Sequence, residues 1–149
     1  MREQPQMDPT EREFVTEVLD ESSWPNILTT IVELLLERNV KSVIAEYGFV
    51  LKRDLRGEVT PEDCIVPLAE LQALMERGFR EGTIEWGHHS DFRFVPAGLP
   101  IRFMLCNDAD LHFWSSDPDL LLDLTRRLSG CDVKVYNGAS GELIETNRQ

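Results

Sequence analysis

Basic residues are scarce in this chain. Fifteen Lys and Arg stand against 27 Asp and Glu, giving a formal net charge of −12 over 149 residues. Phosphate backbones are held by Lys and Arg, so nucleic acid is not an expected ligand. Cysteine is sparse too. Cys64, Cys106 and Cys131 are odd in number and show neither a disulfide framework nor metal-type pairing, which fits reduced thiols in a cytoplasmic protein, with Cys106 expected in the core. No long apolar run is present: 27–36 is interrupted by Thr29, Thr30 and Glu33, short of the roughly 20 apolar residues a membrane helix needs. The opening MREQPQMDPT has no apolar segment of signal type. A soluble protein without membrane attachment is expected. HExxH, CxxC, GxSxG and a glycine-rich phosphate loop are all missing, so no cofactor is expected.

What is present is ordinary globular material, 42% hydrophobic and 28% charged. A chain of this length can bury about two-thirds of its unfolded surface. With no repeat, low-complexity tract or Gly/Ser linker, 10–146 reads as one domain behind a flexible tail at 1–9.

The most legible stretch is 101–130. Ile101, Phe103 and Leu105 alternate with Arg102 and Met104, the period of a half-buried strand, and Leu111 and Phe113 repeat it. Asn107-Asp108-Ala109 between them suits a tight turn, because Asn and Asp tolerate left-handed backbone. A helix with both ends marked follows. Asp117 can cap it, Pro118 fits its first position and Asp119 the positive end of its dipole. Leu120, Leu121, Leu124 and Leu128 form a buried stripe, Arg126 and Arg127 lie near the negative end, and Gly130 can close the helix.

Upstream, Thr10 and Glu13 have capping-box spacing and Phe14 and Val18 share a helical face, which predicts a helix over 10–21. Ser23 can cap a second helix carrying Ile27, Ile31, Leu34 and Leu35, widened by Leu28, Val32 and Leu36. Apolar over more than half its girth, this helix should be packed on two sides. Segment 41–52 is read as a short helix stopped at Gly48, then an extended run at Phe49–Lys52, although Val43, Ala45 and Tyr47 also alternate as in a strand. A charged loop at 53–58, a single turn at 60–63 and an extended piece at 64–66 come next. A helix opened by Pro67 follows, with Leu68, Leu71, Leu74, Met75 and Phe79 inward and Gly78 and Gly82 at its end. Two more hairpins are expected, 83–86 with 92–95 and 133–136 with 142–144. The sum is an α+β fold: an antiparallel-rich sheet of about five to six strands, mostly within 83–145, covered by N-terminal helices and a helix near 118–129.

All three histidines, His88, His89 and His112, fall in the strand-rich half. If the loops at 87–91 and 107–110 meet, His88, His89, Asp91, Asp108, Asp110 and His112, with Cys106, offer donors to a divalent metal in a small metal-dependent enzyme or ligand-binding domain. Cys106 and His112 could also pair as nucleophile and base. Asp108-Ala-Asp110 has the DxD form of some metal-dependent sugar transferases, yet at a hairpin tip two aspartates more simply make Asx turns.

Trp114 has the opposite strand parity to Phe113. It therefore points outward among Asp110, His112 and Ser116, or is buried under the N-terminal helices. Residues 103–125 hold five acids and no base. An outward tryptophan beside carboxylates makes an interface anchor with an electrostatic rim. The preferred expectation is a non-enzymatic interaction protein, immunity-protein-like or an adaptor, that offers Asp108, Asp110, His112 and Trp114 to a basic protein partner.

Overall fold

The computed structural model describes residues 10–47, 65–82, 84–87 and 92–146. The tail at 1–9, the extended run at 49–52, the loop at 53–58, the turn at 60–63 and the histidine loop at 88–91 lie outside the described residues. Among the described residues, seven strands are β1 (Arg12–Thr16), β2 (Ser42–Tyr47), β3 (Ile65–Pro67), β4 (Phe92–Pro96), β5 (Ile101–Leu105), β6 (Leu111–Ser115) and β7 (Val135–Asn137). They form one antiparallel sheet in the order β3-β2-β4-β5-β6-β1-β7. Helices α1 (Trp24–Glu37), α2 (Leu71–Glu81) and α3 (Pro118–Ser129) cover one face, with α1 touching both of the others. This is an α+β fold with slightly more strands than the sequence suggests. No helix among the described residues is long and apolar enough to cross a membrane.

Alternation decides which face the helices cover. Along β4, β5 and β6, residues strictly alternate between buried and more exposed. Register then lines up Phe94, Phe103, Phe113 and Phe14 across four neighbouring strands. Phe94 and Phe103 stack with centroids 4.6 Å apart, and Phe14 meets Phe113 edge-on at 5.7 Å. Each such pair adds about 0.5–1.5 kcal/mol to the burial of its rings. In the same buried cluster lie Ile27, Ile31, Leu34 and Leu35 of α1, all completely buried. The two-sided packing expected of this helix is found, although Leu36 is exposed.

Helix α3 forms as its sequence signals indicate. Asp117 Oδ1 accepts from the N–H groups of Asp119 (3.0 Å) and Leu120 (3.3 Å), and Pro118 occupies the first turn. At its far end the helix closes at Gly130 as expected; that residue is right-handed, the left-handed one being Asp132 (φ 61°), just before Val133, whose N–H bonds back to Leu128 O. The β5–β6 turn differs in one residue. Ala109, not Asn107 or Asp108, has positive φ (64°), and its C=O is tied to the N–H of Leu19.

The largest corrections fall where local spacing competes with distant pairing. No helix spans 10–21: β1 lies between β6 and β7, Phe14 and Thr16 face the core, and Val18 is 72% exposed. Ser23 does not cap α1, because its hydroxyl donates to Asp20 O instead. Residues 42–47 are a strand, not a helix, since β3 and β4 flank them and take their backbone bonds. Pro67 ends β3 rather than opening α2, which starts at Leu71 after a 3-10 turn and stops at left-handed Gly82. Of the strand expected at 83–86, residue 83 lies outside the described residues and 84–86 keep only a single bridge position at Glu85, with Ile84 buried and Trp86 leaning on Trp24 and Phe79. The terminal hairpin keeps one bridge, Tyr136 to Leu143, while β7 pairs with β1.

Candidate functional site

The face of the sheet turned away from the helices carries the odd-parity residues of β1 and the even-parity residues of β5 and β6. Register sets Arg102 opposite Trp114 and Trp114 opposite Glu13, and in the next row Met104 opposite His112 and His112 opposite Val15. These side chains are half-buried, the exposure of a sheet surface that the helices among the described residues leave uncovered. Trp114 therefore points outward and is not covered by N-terminal helices. Its indole stacks on the His112 imidazole at 5.7 Å and 19°, and the Arg102 guanidinium lies 4.7 Å from its centroid.

Two acidic residues of β1 and its approach complete this group. Glu11 receives both Nη2 (2.5 Å) and Nε (3.2 Å) of Arg102, a fork that fixes the cation over the indole. Glu13 places Oε2 3.5 Å from His112 Nδ1. On the other side of the ring, His112 Nε2 donates to Asp110 Oδ1 at 3.0 Å, the carboxylate being able only to accept. That hydrogen bond lifts the imidazole above its ordinary titration value; partial burial opposes the shift, and the charges of Asp110 and Glu13 reinforce it.

Beside Trp114 opens a groove of about 430 Å³ walled by Glu11, Arg12, Glu13, Asn137 and Ala139. The turn after β7 lies close against β1 here. A Cβ on Gly138 would fall 2.3 Å from Glu13 Oε1, so any side chain at this position would displace the carboxylate.

Of the residues singled out from sequence, Asp110, His112 and Trp114 come together. Asp108 stands exposed at the turn, and His88, His89 and Asp91 lie outside the described residues. Cys106 is half-buried on the open face rather than in the core. The acidic stretch does not act as one patch. Asp117 is engaged in capping α3, and Asp123 pairs with Arg38 and Arg127 in the helix layer. Arg102, Glu11 and Glu13 were not anticipated as site residues. Arg102 could have been found by extending the β5 alternation, whereas the two glutamates were hidden by the helical reading of 10–21.

Compared with protein-family models, with curated proteins and with solved structures, the chain finds no match. A functional reading accordingly rests on the chemistry of this face.

Proposed function

We propose that this protein acts by binding a basic protein partner through the uncovered sheet face, in the manner of an immunity protein or an adaptor rather than by catalysis. The observation that carries the reading is Trp114, half-exposed and pinned in one orientation between His112 and Arg102, at the edge of a groove walled by Glu11 and Glu13. A rigid aromatic beside a concavity is the usual anchor of a protein interface. The net charge of −12 favours encounter with a positively charged surface. Asp108 and Asp110 extend the acidic rim along the β5–β6 turn.

Affinity capture with wild type, Trp114→Ala and Asp108→Asn/Asp110→Asn, each checked for folding by circular dichroism, tests this reading. A net-basic protein retained by wild type, released by salt and lost with Trp114→Ala is the expected result. In purified form that protein should associate more slowly, with a flatter salt dependence, with the double Asp variant, and dissociate faster from Trp114→Ala. Retention that is indifferent to Trp114, or confined to acidic proteins, would reject the surface.

A further inference from the structure

The open face also carries a donor set that docking would not require. Cys106 and Asp110 flank the β5–β6 turn, joined by the bond from Cys106 N–H to Asp110 C=O (2.9 Å), so their side chains leave the sheet next to each other. His112, two residues beyond Asp110, leaves the same face. One atom from each, the thiol sulfur, a carboxylate oxygen and a ring nitrogen, lies within 4.8 Å of the other two. Bonds of about 2.0–2.3 Å would put two ligands of a tetrahedral ion about 3.3–3.8 Å apart. The three atoms thus need only small side-chain rotations to close on one centre, and a hairpin rather than a long loop holds them.

We propose that Cys106, Asp110 and His112 form a binding site for a thiophilic divalent metal ion, with zinc the best match. A sulfur, an imidazole nitrogen and a carboxylate oxygen together suit zinc and disfavour magnesium or calcium, which take oxygen ligands. Three protein ligands leave a fourth position for water or an exogenous ligand. Binding is an exchange without redox change: the Cys106 thiol proton passes to solvent, and the single ring proton of neutral His112 moves from Nε2 to Nδ1, leaving the Nε2 lone pair for the metal.

A second observation fits this arrangement. His112 Nδ1 is sealed from solvent and makes no hydrogen bond, with Glu13 Oε2 3.5 Å away. When Nε2 ligates a metal, Nδ1 carries the ring proton and faces this carboxylate, the pairing that orients and strengthens metal-bound histidines. Glu13 is then a positioning residue. The site does not rest on the partner-binding reading, although it shares Asp110 and His112 with it.

The test uses cobalt and zinc ions themselves on the full chain stripped with chelator. Cobalt should bind with one-to-one stoichiometry and a near-ultraviolet thiolate-to-cobalt charge-transfer band, and zinc should displace it. Cys106→Ser should abolish the band, His112→Gln should abolish stoichiometric binding at micromolar metal, and Glu13→Gln should weaken zinc binding by about 10–100-fold. Zinc should also shield Cys106 from alkylation in the unmutated chain, read by peptide mapping that separates it from Cys64 and Cys131, so that misfolding of a variant leaves the question answerable. The proposal is overturned if cobalt fails to bind at micromolar concentration or if zinc protects Cys106 no better than Cys131. A stoichiometric site that survives His112→Gln and disappears in His88→Ala/His89→Ala would overturn it equally.

Discussion

Replacing Asp117 by alanine should destabilise the protein by about 1–2 kcal/mol, in two separable parts. The first is loss of the two hydrogen bonds that Oδ1 accepts from Asp119 N–H and Leu120 N–H. Asp119 is exposed and its N–H regains water, whereas the Leu120 N–H is partly buried beneath a side chain that is wholly buried, so little water can replace its bond. Capping losses of this kind are typically about 1 kcal/mol. The second part is the negative charge at the positive end of the α3 dipole, worth about 0.3–1 kcal/mol. Asp117→Asn keeps an acceptor and removes the charge, so it should lose only that second part; Asp119→Ala, which removes no cap, should also cost less than Asp117→Ala. Equilibrium urea unfolding at unchanged slope is the assay, with an accompanying fall in Tm of about 2–4 °C per kcal/mol for a domain of this size. If Asp117→Ala lies within about 0.3 kcal/mol of wild type, the capping account fails. If Asn and Ala cost the same, charge and not hydrogen bonding carries the effect.

Two further stability predictions follow from the described contacts. Thr16 Oγ1, buried, accepts from the Leu111 N–H at 2.9 Å, so Thr16→Val should cost about 1–3 kcal/mol by stranding that donor, and Thr16→Ser should recover part of it in the same urea assay. Partial burial opposes the charge on Asp123, but hydrogen bonds and positive charge from Arg127 and Arg38 outweigh it and hold the carboxyl below its ordinary value of 3.8. A depressed folded pKa stabilises above the unfolded pKa and stops doing so as pH falls through the folded one, so the advantage of wild type over Asp123→Asn, about 0.5–1 kcal/mol at neutral pH, should begin to shrink below about pH 4 and disappear only below the lower, folded pKa. An advantage that does not shrink at all as the pH is lowered from neutral through the acid range would refute the linkage.

The parts of the fold that could be read from sequence are those whose determinants lie close together in the chain. Alternation in 101–113 and the cap, proline and leucine stripe of 117–130 are each complete within a few residues, and both form as read. At β1 the local evidence points two ways. Thr10 and Glu13 fit a capping box, and Phe14 and Val18 fit a helical face, yet Phe14 and Thr16 fit a strand equally well. The decision belongs to β6 and β7, about a hundred residues downstream, which provide backbone partners on both sides of β1. Propensity is a weak prior against such pairing. The same competition explains β2, where Gly48 suggests a helix stop but β3 and β4 claim the backbone of 42–47.

The site was legible to the extent that parity was applied without regard to residue type. Period-two alternation puts Asp110, His112 and Trp114 together on the face opposite Phe113, and the structure agrees. The same rule, run along β5 from Ile101, Phe103 and Leu105, sends Arg102, Met104 and Cys106 to that face. For Cys106 the general tendency of thiols to be buried points the other way, and parity prevails, because its neighbour Leu105 already fills the inward position at the end of the strand. Glu11 and Glu13 could not be added by any rule until β1 was known to be a strand beside β6. Their carboxylates convert a row of outward side chains into a set with fixed orientation: Glu11 holds Arg102 over Trp114, while Glu13 stands at His112 Nδ1 and Asp110 engages Nε2. The non-local strand pairing that sequence spacing conceals is thus also what assembles the site.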